Sequence, residues 1–470
     1  MSGETPDAPG QSDSGEESQR FVERLAVGDS DVVLVAVVLG AVYLVYLGIA
    51  VLLGVDPIGT VTQLTRFIGL FAIVALALNL HWGYTGLFNI GIAGFMMVGI
   101  YVAAVVSKEP LSTADAGATL GAVGGLGLPL WVGIPVGALA AALLGLIVAL
   151  PALRLRADYL AIVTIGVSEI VRTVLKNRKL ESFSVGGNRI GFGGGDGLAL
   201  DWGSEAQLLM EALFLGDVYD GLVAALDGVA SSPQTAADRI VYSLILLVFL
   251  VGYHLLLQRM GRSPFGRVLK AIREDEEAAS SLGKDTARFK IIVFMIGCGL
   301  MGVAGVLWFM NSGGLGTANA RQFRPRVTFF VWIALIIGGA GSNTGSVLGG
   351  ALFAAVLFQG PRYLQDIISQ FVDLSERAPG SFGAAMAPLS GSLDPAPLLL
   401  YTVSQIANLQ LLIMGVVLVW LMHNRPDGLL GGRKEYAAAV PIGRQSRRSD
   451  RGDGPSLATD GGTHRGDDDE

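Results

Sequence analysis

Residues 239–310 read RIVYSLILLVFLVGYHLLLQ (239–258), RMGRSPFGRVLKAIREDEEAASSLGKDTARFK (259–290) and IIVFMIGCGLMGVAGVLWFM (291–310). Two apolar stretches of about 20 residues bracket a charged segment, and that length crosses a ~30 Å hydrocarbon core. The segment carries eight basic residues (Arg259, Arg262, Arg267, Lys270, Arg273, Lys284, Arg288, Lys290) and five acids (Glu274, Asp275, Glu276, Glu277, Asp285). A plain connector needs only a few residues. Within it, residues 268–282 predict one short amphipathic helix. Leu269, Ile272, Ala279 and Leu282 share a face, and Gly283 is placed to end it. A helix of this kind is presented to something outside the membrane.

The rest of the chain repeats the apolar theme. Of 470 residues 51% are hydrophobic and 16% charged, with 65 glycines and a mean hydropathy of +0.55. The expected fold is therefore an all-α polytopic membrane protein; a membrane barrel would show ~10-residue alternating segments instead. Ten spans are expected, at 31–53, 60–81, 87–106, 128–150, 158–175, 239–257, 291–310, 327–340, 347–363 and 402–423. The third, fifth, eighth and ninth are short, Gly-rich or charged, and could be re-entrant or broken. Residues 1–29 and 432–470 read as disordered polar tails around a membrane-spanning domain at 30–431. The first tail lacks the charged and apolar regions of a cleaved signal peptide.

Arginine and lysine concentrate in 259–290 and after residue 424, whereas acids outnumber bases in 107–127, 176–238 and 359–401. The positive-inside rule then puts both termini and the 259–290 loop in the cytoplasm, with inserts 177–237 and 364–400 outside. One loop dissents: 311–326 falls outside yet holds Arg321, Arg324 and Arg326. The single cysteine, Cys298, lies in a span, so no disulfide framework is expected. No His, Cys, Asp or Glu spacing resembles a metal site, and no cofactor is expected. The composition gives no reason to expect nucleic-acid binding.

Two glycine-rich interruptions stand in comparable places. The first runs Gly83-Tyr84-Thr85-Gly86-Leu87-Phe88-Asn89-Ile90-Gly91, the second Gly338-Gly339-Ala340-Gly341-Ser342-Asn343-Thr344-Gly345. Such residues either pack helices closely in lipid or open the backbone to line a polar path. On the second reading Gly83, Tyr84, Thr85, Gly86, Asn89, Gly338, Gly341, Asn343 and Thr344 line it. Asp158, Glu169 and Arg172 sit in the fifth span, and an ionisable residue at membrane depth is a functional candidate. Glu169 and Arg172, three apart, neutralise each other on one helix face. With Lys176 they either end the span as a solvated turn or line a vestibule. His81 and His423 read as ordinary span-end residues.

The chain has no nucleotide motor of its own. Its Gly283-Lys284 pair has Ala278 where a P-loop needs the first glycine and Asp285 where it needs a hydroxyl. It is expected not to be an enzyme. It is either a stand-alone transporter or channel, or a permease driven by a separate ATPase.

Residues Glu277-Ala278-Ala279-Ser280-Ser281-Leu282-Gly283 fit E-A-A-x-x-x-G, the cytoplasmic signature of ABC-importer permeases. Further segments point the same way: Leu78-Asn79-Leu80 through Gly86, Asp158 through Thr164 leading to Glu169 and Arg172, and Gly266-Arg267 to Arg273-Glu274. Ala304-Gly305-Val306-Leu307, Gly338 through Gly341, and Arg425-Pro426-Asp427-Gly428-Leu429-Leu430-Gly431 complete the set. Over about 58–431 the chain resembles the branched-chain amino acid (Liv-type) ABC transporter permease family, and within it the longer, M-type subunit. The resemblance implies import of branched-chain or other aliphatic amino acids. It also implies two ABC ATPase subunits, a shorter paralogous permease and an extracellular solute-binding protein as partners, in the cell membrane. Arg273, Glu274, Glu277, Ala278, Ala279 and Gly283 would then couple to the ATPases. Urea and short-chain amide importers share much of this pattern. The chain departs from the family where a Gly-His pair is usual, because Gly91 is followed by Ile92. The family's Gly-Gly-x-x-Gly-Leu stretch is matched at 194–198 in preference to Gly186-Gly187.

Overall fold

The computed structural model describes residues 13–111, 123–152, 157–185, 188–194, 197–200, 210, 215–310, 316–371, 379–391 and 393–430. These lie in one compact unit, Met1–Lys434; a second unit, Glu435–Glu470, is outside the described residues. Helices make up nearly all of the described secondary structure: α1 (Asp13–Leu52), α2 (Pro57–Thr85), α3 (Ile92–Ser107), α4 (Leu130–Ala152), α5 (Ala157–Leu175), α6 (Gly216–Leu226), α7 (Pro233–Arg262), α8 (Pro264–Glu274), α9 (Glu276–Ser281) and α10 (Thr286–Phe309). They continue with α11 (Pro325–Gly338), α12 (Asn343–Leu352), a π-helical segment (Phe353–Gln359), α13 (Gly360–Phe371), α14 (Phe382–Gly391), α15 (Ala396–Ser404) and α16 (Ile406–Asn424).

Each of the ten apolar stretches overlaps helix, though short runs within them, at 87–91, 128–129 and 339–340, are not helical. Among the described residues six helices are long and apolar enough to cross a membrane, or up to seven if the pair Ala396–Ser404 and Leu409–Asn424, bent by 81°, is one span. Ile92–Ser107 and Pro325–Gly338 are shorter apolar helices. The chain is thus an all-α polytopic membrane protein. The helix of α1 starts at Asp13, inside the stretch expected to be a disordered tail. The tail expected at 432–470 lies outside the described residues.

Helix α2 is the axis. Asp56 caps it by accepting a hydrogen bond from the Ile58 amide at 3.0 Å, and Pro57 opens its first turn. From Leu70 to Leu78 every side chain is fully buried, as expected for a helix that is apolar all round and surrounded by others. Small residues set the close approaches: Gly350 lies against the Ala72 backbone, Gly305 against Met96 and Gly99 against Gly302. Without a solvent-driven hydrophobic term between helices in lipid, such contact is what holds spans together. The outer helices instead turn apolar side chains outward, as with Leu139, Leu143 and Ile147 on α4 and Leu412, Val416 and Val419 on α16.

Two antiparallel strand pairs lie beyond the helix ends: β1 (Phe183–Val185) with β2 (Asn188–Ile190), and β3 (Leu198–Leu200) with β4 (Gly316–Ala318). The second pair bears on the basic loop noted above. Its pairing puts the basic loop before α11 on the same side as the segment after α5, whatever its own charge. The π-helical widening is also accounted for. It frees carbonyls that Tyr46 (to Ala355, 2.7 Å) and Gln410 (to Leu357, 2.9 Å, and Phe358, 3.1 Å) satisfy.

Candidate functional site

The two glycine-rich interruptions meet, and the charged loop meets both. Helix α2 ends at Gly86, whose φ of +73° is the left-handed turn that glycine allows. Residues after it are not helical until Ile92, so the expected span start at 87 is corrected to 92. Buried backbone outside a helix must find partners within the protein. It finds them on neighbouring helices. The Ile90 amide donates to Thr164 Oγ1 on α5 (3.0 Å), the Ala93 amide to Thr328 Oγ1 on α11 (3.2 Å), and Trp332 Nε1 donates to the Asn89 carbonyl (3.1 Å). The Asn89 side chain accepts from the Gly91 amide at 2.8 Å and lies 3.2 Å from His81 Nδ1.

The second interruption ends α11 at Gly338 and restarts at Asn343, with φ of +102° at Gly339 and +94° at Gly341. Asn79, fully buried on α2, ties it to the first. Its Oδ1 accepts from the Gly341 amide at 2.8 Å and its Nδ2 donates to Asn343 Oδ1 at 3.1 Å. Gly83 and Gly341 touch so closely that a Cβ on Gly83 would lie 2.6 Å from the Gly341 nitrogen. The Leu429 and Leu430 amides donate to the Ile337 and Gly338 carbonyls at 2.9 and 3.0 Å, satisfying groups that the end of α11 leaves free.

Arg273 joins this assembly from the loop. Its Nη1 donates to the Gly83 carbonyl, and a Cβ on Gly341 would lie 2.9 Å from the same nitrogen. Lys270 lies over the Tyr84 ring at 5.8 Å. The loop is not the single helix expected at 268–282. It breaks at Asp275, whose extended backbone starts α9 and whose side chain caps it by accepting from the Ala278 amide at 3.0 Å. Leu269, Ile272 and Ala279 are buried, but Leu282 is 79% exposed, because the break shifts the register of the predicted face. Lys290 bridges to Glu276 at 2.6 Å and Phe265 packs on Phe289 at 5.3 Å, fastening both loop helices to α10.

The sequence-predicted residues therefore divide. Gly83, Asn89, Gly338, Gly341, Asn343 and Arg273 come together, with Tyr84, Thr85 and Gly86 buried or turned beside them. Thr344 follows Asn343 at the start of α12. Glu169 is not drawn in: Arg172 Nε donates to its carboxylate at 2.7 Å, its side chain is 44% exposed, and α5 meets the joint through Thr164 and Ser168 instead. Glu274, Glu277, Ala278 and Gly283 are exposed, Gly283 with φ of +77°. Asn79 and His81 were not singled out for this role. His81 is no span-end residue but fully buried, stacked on Phe294 at 4.9 Å. The only local signal was an asparagine inside an otherwise apolar run.

A family model described as the branched-chain amino acid transport system permease component matches residues 60–374. The high-affinity branched-chain amino acid transport system permease protein LivM of Escherichia coli (strain K12) is 29% identical over 300 residues, 64% of this chain and 62% of its own length. Its namesake from Salmonella typhimurium is 29% identical over 60% of this chain and 59% of its own length. A probable branched-chain amino acid transport permease protein LivM of Methanocaldococcus jannaschii is 27% identical over 62% and 79%. The match thus spans about three fifths of the two enterobacterial relatives. No solved structure matches the chain. With a family match over most of its spans and the motif glycines of both interruptions packed into one joint, the chain belongs to the branched-chain amino acid transport permease family.

Proposed function

We propose that this chain is the permease subunit of an ATP-driven importer of branched-chain or other aliphatic amino acids in the cell membrane. Its partners are two ABC ATPase subunits, a shorter paralogous permease and an external solute-binding protein. It crosses ten times with both termini cytoplasmic, and the joint lies at the cytoplasmic end. The observation that carries this reading is the path from α9 to α2. Ala278 and Leu282 are exposed on a short capped helix, α8 is fixed beneath it, and Arg273 of α8 grips the Gly83 carbonyl. A closing ATPase pair that pushes on α9 moves α8, and α8 moves the hinge between α2 and α11. Alternating access then follows from two packings of the glycine-lined joint, consistent with the bistability of packed interfaces.

Competition of leucine uptake by urea and acetamide, in cells carrying all subunits, tests the substrate. Inhibition by isoleucine and valine but not by the amides is expected, and selective inhibition by urea would overturn it. Transport by the purified chain without ATP would overturn the coupled reading. Leu282→Asp and Ala278→Arg change only exposed positions. Each is expected to leave expression intact and lower uptake roughly tenfold, the scale of losing one anchor contact. Wild-type uptake and ATPase stimulation in both would remove α9 from the coupling path. Ala279→Arg is a poorer probe, since Ala279 is 3% exposed and its replacement disturbs packing first.

A further inference from the structure

A cavity of about 520 Å³ opens at the other end of α2, away from the joint. The start of α2, the start of α7 and α13 enclose it, and its walls include Asp56, Arg66, Asp238, Arg239 and Tyr363. Both signs of charge are present. Arg66 is the notable group. One guanidinium nitrogen reaches the Trp308 carbonyl at 3.5 Å, and its Nε is buried with no hydrogen-bond partner among the described residues. The Tyr363 hydroxyl, also buried, has none among them either. A buried donor without an acceptor is costly, and a guanidinium fork is shaped for a carboxylate. The lining also holds the carboxylates Asp56, Asp238 and Asp366. Asp56 Oδ2 and Arg239 Nη1 converge on Gly59, where a Cβ would lie 2.5 and 3.1 Å from them, and Asp238 Oδ1 accepts from the Tyr219 hydroxyl at 2.7 Å.

We infer that this cavity is a binding site for a free zwitterionic α-amino acid, its carboxylate taken by Arg66 and Tyr363 and its ammonium by the Asp56 and Asp238 side. The proposal rests on the importer reading, under which this end of α2 faces outward and the cavity receives substrate before it enters the bundle. A lining with both signs of charge suits a zwitterion, whereas a neutral amide such as urea offers no carboxylate to the buried Arg66 fork.

The test uses the assembled transporter and the chain's one native cysteine, Cys298, which is fully buried. Gln63, exposed on the cavity wall, is replaced (Gln63→Cys) and labelled with a membrane-impermeant maleimide. Labelling from outside, slowed by millimolar leucine but not by isoamylamine or 4-methylpentanoate, is expected. Each of those analogues lacks one of the two charges. Arg66→Gln should remove the protection and lower uptake roughly tenfold or more, the loss of one charge-assisted contact. Arg66→Lys should retain part of both, which a purely structural role would not predict. If leucine is imported but gives no protection, or the amine and the acid protect equally well, the site is overturned and the importer reading stands. If leucine is not imported at all, the importer reading fails first. Labelling only from inside overturns the sidedness on which both rest.

Discussion

Arg273→Gln is expected to leave the chain inserted and assembled while ATP-driven uptake falls roughly 10- to 100-fold. That range follows from about 1.5–3 kcal/mol for a hydrogen bond from a charged donor, at 1.4 kcal/mol per tenfold. The reason is positional: Arg273 links the loop helix α8 to the Gly83 carbonyl and abuts Gly341. Binding-protein-stimulated ATP hydrolysis should persist, because the ATPase contact proposed for α9 is untouched. Arg273→Lys keeps the charge but loses the fork, so an intermediate loss is expected. The comparison to make is uptake per ATP hydrolysed in reconstituted vesicles. An unchanged ratio in Arg273→Gln would show that force does not travel through this contact.

Asn79→Leu tests the joint itself. The change leaves the Gly341 amide and Asn343 Oδ1 buried without their shared partner. Two such losses total about 2–6 kcal/mol by the usual cost of about 1–3 kcal/mol for an unsatisfied buried group. Hydrogen bonds between spans often measure less, near 1 kcal/mol each, so the lower end is expected. The unfolding midpoint of the detergent-solubilised chain should fall accordingly. Asn79→Leu combined with Asn343→Leu should cost less than the sum, since the two residues share a bond. Strict additivity would mean the Asn79–Asn343 contact contributes nothing.

The membrane class and the position of the helices were legible because bilayer thickness imposes a run length that composition cannot disguise. The glycine interruptions were legible for a related reason: few other residues adopt the φ of Gly86 or Gly341. What the sequence hid were contacts between residues far apart in the chain. Nothing local to Asn79 announces Asn343, and nothing in Arg273 announces Gly83. The loop helix was misread for a subtler reason. Helix formers run across 268–282 without interruption, but the Asp275 carboxylate bonds the Ala278 amide and makes a helix start more favourable than a continuation. That one choice turned Leu282 from an inner residue into an exposed one.

The strip at Leu429 and Leu430, seated on the end of α11, gives the chain a sense of completion in time. Every helix of the joint is synthesised well before it. Until it arrives, the Ile337 and Gly338 carbonyls wait without these partners, so the hinge is latched only by residues made after all of its helices. Chains stopped at Asn424 should insert all their spans and still be selectively cleared, which pulse-chase turnover against the full chain would reveal.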